Sequence, residues 1–312
     1  VIFAGVPFLV FYQFFAATLR SRGNSRIPLA ALTISSICNI VLDLLFICVF
    51  NMGIAGAALG TILSEALVMI VCGYNVYGML HEKKADDDIA RDNNEYISSD
   101  VVRRLIVVGL PMALQSGITA IGGLIVISNV NHFDITFLTG YTIAGKIYAL
   151  LEIAASSYAV AVVAYVSQNF GARKIDRIHS GVRASLIIGI GTALVCSFIM
   201  IAFGQSAMGL FVDSSSVSPD VFKYGRDYLL VLGIFYPLLY TLYIIRAALQ
   251  GGGNSFVPMI SSFGQLIMRV FCAVVITGFI GCRGIYYGEI TAWIFANLIL
   301  IAAYYYELHL KK

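Results

Sequence analysis

The stretch LRSRGNSRIP at residues 19–28 returns as LQGGGNSFVP at residues 249–258, each time at the end of an apolar run, with Leu19 and Leu249 separated by 230 positions. In both copies Gly-Asn-Ser supplies one residue tolerant of positive φ and two side chains able to bond the backbone. The Pro that follows opens the next helix where no amide donor is needed. The phrase therefore predicts a tight turn between two helices, written twice. A second echo follows in the same order: NMGIAGAALGTILSE at 51–65 against FIGCRGIYYGEITAW at 279–293, where Gly53, Gly56 and Gly60 meet Gly281, Gly284 and Gly288 at an offset of 228. Two echoes in one order mark a duplicated unit.

The runs around these phrases are long enough to cross a bilayer. Of 312 residues, 59% are hydrophobic and 12% charged, and mean hydropathy is +0.88, against about 25% charged residues in an ordinary soluble chain. Apolar stretches fit to span a hydrocarbon core of about 30 Å fall near 1–19, 29–50, 54–80, 105–130, 137–168, 182–203, 228–249, 257–280 and 284–306, nine in all. The first lacks a basic leading region and a small-residue cleavage site, and reads as a span rather than a signal peptide.

Lys and Arg cluster at alternate joints. Arg20, Arg22 and Arg26 follow the first span; Lys83, Lys84, Arg91, Arg103 and Arg104 the third; Arg173, Lys174, Arg177 and Arg183 the fifth; Lys311 and Lys312 close the chain. Basic joints face the cytoplasm, so the N-terminus is expected outside and the C-terminus inside, in the cell membrane. Both GNS turns then lie on the cytoplasmic side, which makes the copies parallel repeats. The expected fold is an all-α polytopic membrane protein of two parallel pseudo-symmetric helical lobes. Residues 1–80 form a three-helix remainder of the first lobe, 81–103 a cytoplasmic linker, and 104–312 a six-helix second lobe. The repeat offset places about 130 further residues, enough for three spans, ahead of the first lobe, so that three plus six of an expected six plus six spans are present.

The linker's Asp86–Asp88 run lacks the glycine and glutamate of a calcium loop and reads as solvated chain. Cys38, Cys48, Cys72, Cys196, Cys272 and Cys282 sit in or at the ends of apolar runs without CxxC spacing, as packing residues do. The GxxxG pairs at 56/60 and 284/288 are small faces for close helix approach. Gly251–Gly253 has no GK[ST] after it and is no phosphate cradle. The histidines lie in joints or at ends, without zinc spacing, and GxSxG is absent. The chain does not read as an enzyme, and no cofactor is expected.

An ionisable group deep in a bilayer costs about 2.5–3.5 kcal/mol on insertion scales and is a functional candidate by default. The deep acids are Asp43, Glu65, Glu152 and Glu289, and the deep bases Lys146 and Arg269; Asp227 and Arg246 lie close enough to span ends to snorkel. Asp43 stands near mid-span with Asn39 one turn before it on the same face, a hard-oxygen pair suited to a proton or Na⁺. Arg269 aligns with Asn39 at the 230 offset and Glu289 with Thr61 at 228, so the second copy is expected to hold an Arg–Glu pair where the first holds a cation site. Glu65 sits one turn beyond Thr61. Lys146 and Glu152, six apart, fall on different faces and do not read as an ion pair.

LRSRGNSRIP, NIVLDLLFI at 39–47, GIAGAALGT at 53–61, GLPMALQ at 109–115 and VSQNFGARKIDR at 166–177 together resemble the multidrug and toxic compound extrusion (MATE) family of secondary transporters, along nearly the whole chain. The resemblance implies helices four to twelve of a twelve-helix, two-lobe antiporter that exports organic, often cationic and aromatic, compounds in exchange for H⁺ or Na⁺. It further implies a cation site in which Asn39, Asp43 and Thr61 match three members, the fourth, an acid on helix one, having no counterpart here. Some relatives carry a coupling acid on helix seven, where this chain has Gln115, a candidate cavity residue. No metal is implied beyond Na⁺ at Asp43, Asn39 and Thr61. The expected partners are the lipid bilayer and small organic substrates, with no nucleic acid, and the expected state is a monomer. Two rivals remain: a flippase for lipid-linked saccharides, disfavoured by having only Lys146 and Arg269 as deep bases, and an inactive truncated fragment.

Overall fold

A computed structural model describes residues 2–86, 99–212 and 217–310, and the described residues are helical throughout apart from turns, with no strand. The chain divides into two compact units, Val1–Tyr96 and Ile97–Lys312.

In the first unit a short 3₁₀ turn, Ile2–Gly5, leads into α1 (Val6–Ser21), followed by α2 (Arg26–Leu44) and α3 (Gly53–Asp86). Helix α3 is the hub, packing along both α1 and α2. Its core is small: Tyr12, Ala16 and Leu19 of α1, Ala31 of α2, and Val68, Cys72 and Val76 of α3. Leu29, Ile40 and Ile54 are among the large apolar side chains left on the outside, the expected surface for a unit bathed in lipid, where a helix satisfies its own backbone and apolar side chains need no cover.

The duplicated phrase folds the same way in both units. Gly23 has φ +82° and Gly253 φ +88°. Asn24 N–H reaches back to the Leu19 carbonyl at 3.0 Å, and Asn254 N–H to that of Leu249 at 3.0 Å. Glycine in the left-handed region with this long back-bond is the Schellman stop. The Asn side chain then starts the next helix, Asn24 Oδ1 accepting from Ile27 N–H at 3.3 Å and Asn254 Oδ1 from Val257 N–H at 3.2 Å. Neither Ser25 nor Ser255 caps through its hydroxyl; of the two expected polar partners, only Asn is used.

The second unit contains α4 (Ser99–Val130), α5 (Ile135–Gly171), α6 (Ile175–Met208), α7 (Pro219–Gly251), α8 (Phe256–Phe271), the single turn α9 (Thr277–Ile280) and α10 (Gly284–Leu310). Helix α5 starts at Asp134, whose carboxylate accepts from Thr136 N–H at 3.1 Å; hydrogen bonds from Thr136, side chain first and backbone second, hold that carboxyl below the usual carboxylate range. Helix α7 is the axis, packed against α5, α6 and α10. Glycines on α6 receive its side chains: Ile244 fits over Gly189 and Leu229 over Gly204, each where a Cβ would collide. Pro237 lies inside α7 and supplies no N–H to the Gly233 carbonyl one turn earlier. Ser197 of α6 takes that role, its hydroxyl donating to the Gly233 carbonyl at 2.6 Å.

Among the described residues, eight helical stretches are long and apolar enough to cross a membrane. The last, Phe256–Glu307, has 52 residues, or about 78 Å at the helical rise, more than twice the hydrocarbon thickness. It is broken at Gly281, φ +66°, and counted as two it matches the nine runs read from the sequence. Helix α3 continues through residues 81–86 and α4 begins at Ser99, so both ends of the expected 81–103 linker are helical. Residues 87–98, with most of the Asp run, lie outside the described residues, as do Lys311 and Lys312.

Candidate functional site

In the first unit Asp43 occupies the penultimate position of α2, partly buried. Asn39 donates its side-chain amide to Asp43 Oδ1 at 3.5 Å, a long bond consistent with the one-turn spacing. Across the helix pair stands Gly60 of α3: a Cβ there would overlap Asp43 Oδ1, so the carboxylate lies directly on the α3 backbone. Thr61 is the next residue, its hydroxyl donating to Ala57 O at 3.0 Å and keeping its lone pairs free to accept. Ser35 ties the helices below, donating to Ser64 O at 2.6 Å. Glu65 turns toward Gly5, where a Cβ would stand 3.0 Å from its Oε2. The GxxxG face thus has two uses, Gly56 admitting Phe46 and Gly60 seating the acid.

Immediately after Asp43 the helix widens: Leu45–Val49 is π-helical, with Phe50 N–H bonded to Leu45 O at 3.0 Å. In the second unit the equivalent helix also ends in a π-helical turn, Cys272–Ile276, three residues after Arg269 and three residues earlier than the 230 offset would put it. Single π turns often accompany functional sites. Nothing in the residue pattern announced either one.

The second unit brings together the residues its repeat alignment paired. Arg269 Nη2 donates to Glu289 Oε2 at 2.8 Å, with side chains 11% and 15% exposed. Arg269 also lies over Gly122 of α4, where a Cβ would stand 3.2 Å from Nη1. Glu152 accepts from the Tyr243 hydroxyl at 2.8 Å, and Gln115 accepts from Gln250 Nε2 at 3.0 Å, joining α4 to α7. Lys146 is exposed, with its ammonium 5.6 Å from the Phe211 ring centre, apart from Glu152 as its spacing required. Aromatic rings fill the interior between α5, α7 and α10, Tyr141 lying tilted 4.7 Å from Tyr228 and Tyr148 stacking 6.3 Å from Trp293.

One expectation fails. Arg246 does not snorkel: its Nε and Nη2 are sealed from solvent and have no hydrogen-bond partner. Distance from the end of the span misled the reading, because α7 is more enclosed by its neighbours than any other long helix described. The available signal was the spacing Tyr243, Arg246, Gln250, which places three polar side chains on one face. Asp227, by contrast, is at the surface, 3.9 Å from Arg283 Nη2. Among the described residues no cluster of His, Cys, Asp and Glu is suited to a metal ion.

Known proteins are similar to this chain. The "Probable multidrug resistance protein YpnP" of Bacillus subtilis is 26% identical over 305 residues, covering 97% of this chain and 66% of its own length. The "FAD transporter" of Shewanella oneidensis is 24% identical over 314 residues, covering 97% and 66%. This chain therefore spans about two thirds of the length of these relatives. A solved structure described as the outward-facing conformation of a multidrug resistance MATE family transporter superposes with a TM-score of 0.88 at 22% identity, over 99% of this chain and 68% of that one. The fold is the same. The family model MatE matches residues 111–275, more than half of the chain, and the protein belongs to the MatE family.

Proposed function

We propose that the protein works as a cation-coupled antiporter, exporting organic compounds across the cell membrane by alternating access, with Asp43, Asn39 and Thr61 as its H⁺ or Na⁺ site. The observation that carries this reading is the Asp43 carboxylate, partly buried on the Gly60 backbone with one amide donor beside it. The names of the relatives, a probable multidrug resistance protein and an FAD transporter, support the transport of organic molecules. The charge distribution supports a cytoplasmic C-terminus.

The chemistry follows from the residues. A carboxylate at membrane depth is costly when unpaired, so Asp43 gains by taking a proton or a cation. A proton needs only the carboxylate. A sodium ion also draws on neutral oxygens, here the Thr61 hydroxyl and the Asn39 carbonyl oxygen after its amide turns inward. Either ion removes the charge that Asn39 otherwise stabilises, and so shifts the balance between conformations that bind the ion differently. With H⁺ as the coupling ion, protonation favours cargo release and deprotonation cargo capture.

The test is reconstitution of the complete protein in liposomes, with a fluorescent organic cation as cargo and separately imposed pH and sodium gradients. Asp43→Asn is expected to abolish gradient-driven efflux while the protein remains folded and inserted. Unchanged efflux removes Asp43 from the mechanism, and the gradient that drives the wild type identifies the ion.

A further inference from the structure

We infer that the second unit holds a binding site for an oxyanion, the carboxylate or phosphate group of a small organic molecule, with Arg246 as its clamp. The transport reading enters only in making that molecule a cargo; the site itself is argued from the side chains.

The two unpartnered nitrogens of Arg246, Nε and Nη2, lie on the same edge of the guanidinium. Their N–H bonds run parallel and match the two oxygens of a carboxylate or phosphate. A buried guanidinium normally has an acid against that edge. Among the described residues no acid makes that contact. Glu289 is engaged by Arg269 at 2.8 Å and Glu152 by Tyr243 at 2.8 Å. The charged and titratable groups that act on Arg246 electrostatically are Tyr243 and Arg269, the latter a second cation.

Further vacant donors lie on α8, one helical turn apart on one face. Gln265 Nε2 and Arg269 Nε are likewise sealed and unpartnered. Helix α4 links the two groups. Its Gln115 accepts from Gln250, one turn along α7 from Arg246, and its Gly122, about 10 Å further along α4 at the helical rise, makes room for Arg269. On Arg246, Gln265 and Arg269 every orphaned atom is an N–H donor. A ligand that only accepts complements such a set, whereas a cationic ligand meets like charge and no acceptor. Tyr243, partly buried, lies one turn before Arg246 on the same face of α7, so a bound anion has an aromatic ring beside it. This favours an aromatic or ring-bearing acid. Arg246 as a whole is only partly buried, which leaves it an approach.

The experiment measures binding to the complete detergent-solubilised protein by titration calorimetry at constant sodium chloride. The probes are benzoate and phenyl phosphate, with benzylamine and benzyl alcohol as the cationic and neutral analogues. The expected result is binding of at least one anion and not of the two analogues. Affinity is expected to fall at least tenfold in Arg246→Gln, and to a smaller extent in Arg246→Lys, which keeps the charge and loses the fork. The anion that binds assigns the group as carboxylate or phosphate. The inference is overturned if neither anion binds, if benzylamine binds equally well, or if Arg246→Gln binds as the wild type does. If Arg246→Gln does not fold, Arg246→Lys decides alone, unchanged affinity overturning the site. Binding requires no transport, so the two readings fail separately. A protein that pumps an organic cation and ignores both anions refutes this site only, whereas one that binds an anion and pumps nothing refutes the transport reading only.

Discussion

Removing one member of the Arg269–Glu289 pair should cost more than removing both. In Glu289→Gln the side chain keeps its shape and loses its charge. Arg269 is then left with a cation whose Nε is already unpartnered and whose Nη2 no longer faces an acid. In Arg269→Met, Glu289 becomes the isolated charge. Side chains only 11% and 15% exposed belong to the buried class of ion pairs, for which breaking one partner costs about 3–5 kcal/mol, while replacement of both by groups of similar volume is often neutral. Taking about 3 kcal/mol for each single variant and about 2 kcal/mol for the double gives a coupling energy of about 4 kcal/mol. Reversible unfolding in mixed micelles, followed by circular dichroism along a denaturing-detergent series, measures all four corners of the cycle. Costs that add within about 0.5 kcal/mol would mean that the two residues do not act as a unit, and would refute the argument from charge and burial.

Two further substitutions test close contacts. Gly60→Ala places a methyl where the Asp43 carboxylate lies, and it is expected to impair gradient-driven efflux nearly as much as Asp43→Asn does; normal efflux would show that the seat on α3 is dispensable. Ser197→Ala deprives the Gly233 carbonyl of its donor and should cost about 1–3 kcal/mol. Adding Pro237→Ala returns the helix's own N–H, so the double variant should be more stable than Ser197→Ala alone, and unfolding midpoints that show the reverse would exclude this account.

The sequence was most legible where local chemistry dictates the backbone. Gly23 and Gly253 had to leave the right-handed region for the phrase to turn, and the Gly56/Gly60 face had to bring helices together. The Arg269–Glu289 pairing was accessible because repeat alignment carries three-dimensional information: positions equivalent to neighbours in one copy are neighbours in the other. Arg246 was misread because position along a span does not reveal how many helices surround it, which is a tertiary property. The π turns after Asp43 and Arg269 were not legible either, since Leu-Phe-Ile-Cys-Val and Cys-Ala-Val-Val-Ile satisfy a regular helix equally well by composition. Where the helices end at the linker was not legible either, since charge marks a polar segment and not the point at which a helix stops: α3 continues for six residues beyond 80.

The hollows on α6 at Gly189 and Gly204 bear on biogenesis. During synthesis α4, α5 and α6 leave the ribosome before α7, so for a time those hollows, together with the Ser197 hydroxyl, have only lipid or membrane chaperones for company. The second unit cannot close around its own axis until its fourth long helix arrives. Assembly therefore has a late step at which nascent chains are vulnerable to capture by membrane quality control, and α7 is where errors in insertion should be least forgiven.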